Sequence, residues 1–331
     1  MAVTLKDVAE LAEVSRSAVS RTFTKGASVS DKTRNKVLKA ANKLGYSPNA
    51  LASSLTTGRT KMIGLISNNF HNPVFLEVFD KFTRGLHEKD LRPLLVNLTE
   101  ETGPEASIRM LRQYSVDGVI IASSTLPPAF AEAFRDAGIP VVHSFGRHTE
   151  SPPVDVLGID NIQAGRIAAR ALIAHGYREV GFLGGPRQAT STLDREKGFI
   201  LECGEHRGVS ARVSFANAYS FEAGRAEMLD LLNAPKAEAY FCADDVLSIG
   251  AMSALESVGL SVPNDVGIIG LNDMNMAKWE NINLTTIHNP FSEIIAASIE
   301  QVTALIKDQN LTPKSHLFEC SVIERGTLQA R

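Results

Sequence analysis

Three polar side chains near the amino terminus have the types and spacing to read DNA. Arg16, Ser17 and Arg21 fall on one side of a short helical pattern. An arginine guanidinium can donate two hydrogen bonds to a guanine edge in the major groove, and a serine hydroxyl contacts bases less selectively. A phosphate contact is the alternative for Arg16, and for Arg21 the two roles stay equally open. The set predicts a DNA-reading helix.

Two short helices joined by a tight turn must position these side chains. Thr4 can cap the first helix, with Asp7 three residues later facing the free N–H groups of its first turn. Ser15 can cap the second helix, directly before Arg16. Thr4, Ser15 and Ser20 are expected to act as caps or as phosphate donors that set the register on DNA. The spacing is typical of a helix-turn-helix.

A third helix and a connecting segment follow. We expect the third helix at 31–44, because Ser30 can cap it and Gly45 can end it. The simplest interpretation of residues 47–60 is a linker. Pro48, however, suits a first helical position, and residues 50–55 could form a turn and a half of helix.

Charge is distributed unevenly along the 331 residues. Residues 1–60 hold ten Lys and Arg against four Asp and Glu, a formal charge of +6, whereas the rest holds 24 against 33, or −9. The hydrophobic content of 44% and charged content of 21% are ordinary for a soluble globular chain of two or three domains. A basic end on an acidic body suits a protein that offers one end to a polyanion.

The sequence lacks the patterns of an enzyme, a metal site or a membrane segment. Cys203, Cys242 and Cys320 lie far apart, and no histidine has triad or metal-ligand spacing. Residues 181–186 are glycine-rich but contain a proline and lack the G-x-G-x-x-G register of a nucleotide loop. No apolar run approaches the roughly 18 residues that span a bilayer, and no export signal is visible. We predict a cytoplasmic protein without catalytic activity, metal or cofactor.

From Met62 onward, short apolar runs alternate with segments of helical length. Strands that are buried on both faces and separated by helices are typical of parallel, doubly wound sheets. Ten strands are too many for one sheet, so two halves are expected. The strands are predicted at 62–66, 93–98, 118–122, 140–145, 154–159, 180–183, 213–216, 239–242, 266–271 and 322–323, and the helices at 73–89, 104–114, 128–137, 161–175, 191–206, 220–233, 245–258 and 291–307.

The chain resembles the lactose-repressor (LacI/GalR) family over essentially its whole length. Residues 3–23 follow the family pattern T-hydrophobic-x-D-V-A-x-x-A-x-V-S-x-x-T-V-S-R, with Ala18 where threonine is usual. Further motifs occur in the family's order, among them A-H-G-Y-R at 174–178, R-E-K-G-F at 195–199 and A-D-D at 243–245.

The resemblance implies an α/β fold class with a small all-α helix-turn-helix head and a two-lobed, doubly wound body like that of periplasmic binding proteins. It implies a DNA-binding head at 1–46, a hinge helix and linker at 47–60, and an effector-binding and dimerisation domain at 61–331. The implied lobes are about 61–159 with 291–319, and 160–290 with 320–331.

The implied function is that of a homodimeric transcriptional repressor of a catabolic operon. Two recognition helices would read a palindromic operator in double-stranded DNA, while two hinge helices pair in the minor groove and a leucine wedges into the central base step. No leucine heptads follow the last strand, so a dimer is expected and a tetramer is not. The residues implied to contact DNA are Thr4, Ser15, Arg16, Ser17, Ser20, Arg21, Asn49, Ala52 and Leu55.

A small-molecule effector is expected in the cleft between the lobes. Ligands of doubly wound lobes bind outside the carboxyl ends of the strands, which selects Asn68, Ser124 and Asp273 together with most of the set below; the resemblance adds Arg195, Tyr219 and Asn289. Carboxylates, amides and an aromatic face favour a sugar. The predicted effector residues are Asn69, Phe70, Ser123, Phe145, Arg195, Tyr219, Asp244, Asn272 and Asn289.

Several alternatives stay open. The effector could be a sugar acid, a sugar phosphate or a nucleoside, or it could act as a corepressor, and Asn272 stands where the family often has an acid. A binding protein without DNA function would not need the basic head, and an enzyme would need an acid/base pair. Asp245 is expected to cap the helix that follows it, and Phe75 and Phe79 are expected in the core.

Overall fold

The computed structural model describes residues 3–24, 26–48, 54, 58–98 and 103–331. The chain divides into two compact units, Met1–Thr60 and Lys61–Arg331. Among the described residues, no helix combines the length and apolar character needed to cross a membrane.

The first unit contains three helices, α1 (Leu5–Ala12), α2 (Arg16–Phe23) and α3 (Asp31–Leu44). Their apolar faces meet in a small core, against which Phe23 and Tyr46 pack with ring centroids 5.8 Å apart. Such a small core provides only modest stability. The buried core residues are Val8, Ala9, Ala12, Val19, Val37, Ala40 and Ala41.

Caps fix the ends of these helices. The Thr4 backbone N–H donates to Asp7 Oδ2 at 2.7 Å, and the Asp7 backbone N–H donates back to Thr4 Oγ1 at 3.4 Å. The bonds that the Asp7 carboxylate accepts from the Thr4 backbone N–H and from Thr4 Oγ1 lower the pKa of Asp7. Ser15 Oγ accepts from the backbone N–H of Ala18 at 3.2 Å. Glu13 adopts the left-handed conformation at φ 55°, which ends α1 and forms the turn. The predicted helix-turn-helix is therefore present.

The second unit begins with a series of alternating strands and helices. Its inner strands are buried on both faces, as expected for parallel sheets covered by helices, whereas the edge strand Arg92–Asn97 is partly exposed. These elements are β1 (Met62–Ser67), α4 (Val74–Glu88), β2 (Arg92–Asn97), α5 (Pro104–Gln113), β3 (Gly118–Ala122), α6 (Pro128–Asp136), β4 (Val141–Ser144) and β5 (Asp155–Ile159).

The alternation continues through the rest of the chain. The following elements are α7 (Asn161–Ala174), β6 (Glu179–Gly184), α8 (Thr190–Glu205), β7 (Ser210–Phe215), α9 (Phe221–Leu231), β8 (Ala239–Cys242), α10 (Asp245–Ser257), β9 (Gly267–Asn272), a short 3-10 helix (Asn275–Lys278), β10 (Thr286–His288), α11 (Phe291–Lys307), β11 (Ser315–Phe318) and β12 (Ser321–Ile323).

Two six-stranded sheets organise this unit into two lobes. The first sheet has the order β11-β5-β4-β3-β1-β2 and is parallel throughout. The second has the order β12-β10-β9-β8-β6-β7, in which only β12 is antiparallel. The chain passes between the lobes after β5, after β10 and after β11.

The α/β prediction with doubly wound lobes is confirmed, and all ten predicted strands and eight predicted helices of this unit are found. Two further strands were missed. β10 has only three residues, and β11 is an edge strand whose His316 and Leu317 are exposed, so neither has the continuous apolar run of a buried strand.

The helices α7 and α8 of the second lobe pack closely against each other. A Cβ at Gly165 would overlap the carbonyl oxygen of Arg195, and one at Gly198 would overlap that of Ile162. The two helix backbones therefore touch directly, which is possible only because both positions lack a side chain.

Candidate functional site

The helix α2 presents the predicted DNA-reading side chains to solvent. Arg16, Ser17, Ser20 and Arg21 are all exposed. Ser17 Oγ lies 2.9 Å from Ser15 Oγ, and Arg21 Nε donates to the carbonyl oxygen of Ser17 at 3.4 Å. Within the described residues, the guanidinium of Arg16 makes no hydrogen bond or ion pair and is free to meet a nucleic acid.

The other predicted DNA contacts differ in their surroundings. Thr4 Oγ1 donates to Asp7 Oδ2 at 2.8 Å, so this hydroxyl is engaged in the cap of α1. Asn49, Ala52 and Leu55 lie outside the described residues.

A cavity lies between the two lobes of the second unit, beyond the carboxyl ends of their strands. Its volume is about 30 Å³, enough for about two water molecules. Seven of the nine predicted effector residues line it: Asn69, Phe145, Arg195, Tyr219, Asp244, Asn272 and Asn289.

Phe70 and Ser123 do not line this cavity. The Phe70 ring packs on Phe79 with centroids 4.7 Å apart and remains about one third exposed. Ser123 is buried, and its hydroxyl donates to Asn68 Oδ1 at 2.8 Å. The neighbouring Ser124 lines the cavity instead.

Several further residues line the cavity that the sequence patterns did not indicate, most of them on or near the elements that begin after strands. The first turns of α4 and α7 contribute polar and apolar groups. Ligands are expected at the carboxyl ends of strands, and extending that expectation by one helical turn would have indicated these residues. Phe75 was expected only in the core; it is buried and also forms part of the cavity wall. The additional lining residues are Asn72, Val74, Phe75, Val78, Ile159, Asn161 and Phe291.

A chain of buried polar groups crosses the cleft. Asp244 Oδ2 accepts from Asn72 Nδ2 of the first lobe at 2.9 Å and from Asn272 Nδ2 of the second at 3.0 Å. Asn289 Nδ2 donates to Asn272 Oδ1 at 3.2 Å. Burial raises the pKa of Asp244 to about 6, although the bonds from Asn72 and Asn272 favour its charged form. Asn289 Oδ1 is buried without a hydrogen-bond partner among the described residues.

The capping role predicted for Asp245 is wrong. Asp244 is the N-cap of α10, and its Oδ1 accepts from the backbone N–H of Val246 at 2.9 Å. Asp245 is the first helical residue, and its carboxylate accepts from Thr286 Oγ1 at 2.5 Å and from the backbone N–H of Met274 at 2.9 Å. Burial raises the pKa of Asp245 to about 7.

Arg195 is held in the wall of the cavity by neutral acceptors. Its Nε donates to Asn161 Oδ1 at 2.8 Å, and its Nη1 donates to the carbonyl oxygen of Ala243 at 2.7 Å. Backbone strain is present nearby, since Phe145 and Asn272 have φ values of 64° and 126°. Strained non-glycine residues cluster at ligand sites, where the surrounding structure holds them in place.

Hydrogen bonds and an ion pair hold the lobes together outside the cavity. Arg147 Nη2 of the first lobe lies 2.5 Å from Asp194 Oδ1 of the second. Glu77 Oε1 accepts from the backbone N–H of Asn275 at 2.8 Å. Thr190 Oγ1 donates to the carbonyl oxygen of Ser124 at 3.1 Å. The lobes are thus closed on each other, and a ligand larger than a few atoms requires their partial opening.

Comparison with known proteins places these features in one family. Residues 4–49 match the model of the bacterial regulatory proteins of the lacI family, and residues 169–328 match a periplasmic binding protein-like domain. The HTH-type transcriptional repressor PurR of Klebsiella pneumoniae is 31% identical over 330 residues, which cover 98% of this chain and 96% of that protein.

Solved structures agree with this assignment. A Lac repressor dimer bound to operator and the anti-inducer ONPF has a TM-score of 0.87 and 25% identity, with 100% of both chains covered. A complex of the transcriptional regulator CelR with cellobiose has a TM-score of 0.73 and 27% identity, and covers 98% of this chain and 100% of that one. The chain belongs to the LacI family and is a DNA-binding transcriptional repressor with a small-molecule effector domain, not an enzyme.

Proposed function

We propose that the effector of this repressor is a small, neutral, sugar-like molecule bound between the two lobes, and that the repressor controls a catabolic operon. The observation that carries the proposal is the composition of the cavity wall. Buried amides and a carboxylate on Asp244, Asn272 and Asn289 share the wall with the rings of Phe75 and Phe145. Amides and carboxylates pair with sugar hydroxyls, and aromatic rings cover the apolar face of a pyranose.

Charge favours a neutral effector over a sugar acid or a sugar phosphate. Asp244 is a buried acid at the centre of the cleft, and an anion placed beside it would raise the cost of its ionisation. Arg195 is the one cation among the lining residues, and two of its donors are already committed to Asn161 and Ala243. The solved complex of the relative CelR with cellobiose is consistent with a sugar.

We further propose that the protein acts as a homodimer on a palindromic operator. In this proposal α2 of each copy enters the major groove, and residues 47–60 form the hinge between head and body. Because this segment connects the two units in sequence, a change in the lobes can bias whether it is ordered on DNA. Effector and operator then change each other's affinity by the same factor.

A thermal-shift panel on the full chain tests the effector class. Neutral mono- and disaccharides, gluconate, glucose 6-phosphate and adenosine would be compared at equal concentration. A neutral sugar at about 100 times its dissociation constant is expected to add about 2.7 kcal/mol. The variant Asn289→Ala should lose this shift, whereas Ser257→Ala, which lies outside the cleft, should keep it. A shift with gluconate, glucose 6-phosphate or adenosine, and with no neutral sugar, would reject the neutral-sugar proposal.

Operator binding with and without the active compound then separates an inducer from a corepressor. Fluorescence anisotropy of a labelled operator should show a loss of affinity for an inducer and a gain for a corepressor. A compound that shifts the melting temperature but leaves operator affinity unchanged would contradict an effector role.

A further inference from the structure

A second cavity lies in the first lobe, at the end opposite to the effector cleft. Its volume is about 380 Å³, and it opens where β4 and β5 begin and where the chain leaves α11. Val141 and Asp155, the first residues of β4 and β5, form part of its wall, with Leu305 and Leu311 on the other side. Most of the surrounding side chains are apolar, so the cavity suits a compact hydrocarbon body.

One buried carboxylate interrupts this apolar wall. Asp155 is 1% exposed, and its Oδ1 accepts from the backbone N–H of Lys314 at 3.0 Å. Asp155 Oδ2 is buried and has no hydrogen-bond partner among the described residues. Among the described residues, the His316 ring lies within ion-pair distance of this carboxylate, with Nε2 3.8 Å from Oδ1. Buried polar atoms are nearly always hydrogen-bonded in native proteins, so this oxygen lacks a donor.

The only arginine on the cavity wall does not supply that donor. Arg135 Nη1 donates to the carbonyl oxygen of Pro153 at 2.8 Å, and its Nη2 pairs with Glu132 at 2.9 Å and with Asp136 at 2.7 Å. Two carboxylates therefore neutralise this guanidinium. Apart from the His316 ring beside Oδ1, the described residues give the Asp155 carboxylate no ion-pair partner, which disfavours an anionic ligand and favours a cation.

We propose that this cavity is a second ligand site, distinct from the effector cleft, and that it takes a small organic cation: a protonated amine on a compact hydrocarbon body. The ammonium group donates to Asp155 Oδ2, and the hydrocarbon packs against Val141, Leu305 and Leu311. A charge-assisted hydrogen bond to a buried carboxylate is stronger than one between neutral groups. This inference rests on the first lobe alone and does not depend on the identity of the effector.

Three matched probes test the proposal on the full chain. Cyclohexylammonium, cyclohexanol and cyclohexanecarboxylate share one ring and differ in charge. Each probe is titrated into the protein, and binding is measured by changes in protein NMR chemical shifts and in the thermal unfolding temperature. Both changes should saturate with cyclohexylammonium. At least tenfold weaker binding is expected for the alcohol, and none for the carboxylate. Equal affinities for the ammonium and the alcohol would overturn the charge assignment.

Variants locate the binding. Asp155→Asn keeps an oxygen that can accept from the Lys314 N–H but removes the negative charge. It should weaken binding of cyclohexylammonium at least tenfold. Leu311→Trp should block the cavity without changing its charge, so it serves even if Asp155→Asn does not fold. Glu300→Gln, which changes an exposed acid of α11 that does not line the cavity, should bind the probe as the unchanged chain does. Retained binding in both Asp155→Asn and Leu311→Trp, or a crystal structure with the probe elsewhere, would refute the site.

Discussion

At the scale of single residues, Arg16 is the side chain best placed to discriminate between bases. Its guanidinium is exposed at the start of α2 and free of partners within the described residues. We expect Arg16→Ala to weaken operator binding by about 1–3 kcal/mol and to relax the base preference at one operator position. Selection from a randomised operator library measures this. Arg21→Ala is the matched comparison, and a uniform loss across all sequences in Arg16→Ala would indicate a phosphate contact instead.

Asp245 makes stability depend on pH. Burial raises its pKa to about 7, above the value of about 4 expected in the unfolded chain. Between these values the native state binds more protons, so the free energy of unfolding falls as pH rises from about 4 to about 7. Asp245→Asn should remove part of this fall, on the order of a few kcal/mol. Burial also raises the pKa of Asp244 to about 6, so Asp244 likewise lowers the free energy of unfolding as pH rises.

Thermal unfolding at pH 5, 6, 7 and 8 measures the effect of Asp245→Asn. The variant should gain stability relative to the unchanged chain as pH rises. Glu256→Gln removes an exposed acid near the end of the same helix and should leave the pH profile unchanged. Parallel profiles for Asp245→Asn and the unchanged chain would contradict the raised pKa.

At the scale of elements, the contact between α7 and α8 positions the cleft. A Cβ at Gly198 would overlap the carbonyl oxygen of Ile162 and force the helices apart. The bond between Arg195 and Asn161 joins these same helices at the cavity wall. We expect Gly198→Ala to destabilise the protein by about 1–3 kcal/mol and to weaken effector binding.

Gly204 provides a control within α8. A Cβ there meets nothing within 4 Å, so Gly204→Ala should stabilise the helix by up to about 1 kcal/mol. Chemical denaturation and thermal-shift titration of both variants would compare them. Equal stability of the two variants would show that the helices can separate without cost.

The elements also show what a sequence can and cannot reveal. Apolar runs such as Gly118–Ala122 predict buried strands directly, because both faces are covered. The strand Ser315–Phe318 escaped prediction, since pairing with β5 forms it and its own composition does not. The rule that ligands bind at the carboxyl ends of strands identified five cavity residues, and the family resemblance identified three more. The contribution of Asn72 depends on a contact with Asp244, 172 positions away. Local pattern identifies elements, whereas contacts between lobes require the fold.

At the scale of the whole molecule, the basic head and acidic body predict salt-sensitive DNA binding. Residues 1–60 carry a formal charge of +6 and the remainder −9. The logarithm of operator affinity should therefore fall linearly with the logarithm of the salt concentration. If six to ten phosphates are contacted, the affinity should fall by a factor of about 10³–10⁵ between 50 and 200 mM salt. A fragment of residues 61–331 should not bind DNA under the same conditions. Salt-independent operator binding would contradict this electrostatic division.

The order in which the chain completes its first lobe has a consequence for synthesis. The helix α11 and the strand β11 belong to that lobe, yet they follow the whole series from α7 to β10. On a ribosome that adds about 5–20 residues per second, β5 waits on the order of ten seconds or more for β11, its neighbour in the sheet. During this interval β11 is not yet paired with the edge of β5, and Ile299 of α11 is not yet packed against α4. The nascent chain is thus open to chaperone binding or to misassembly until its last residues are translated.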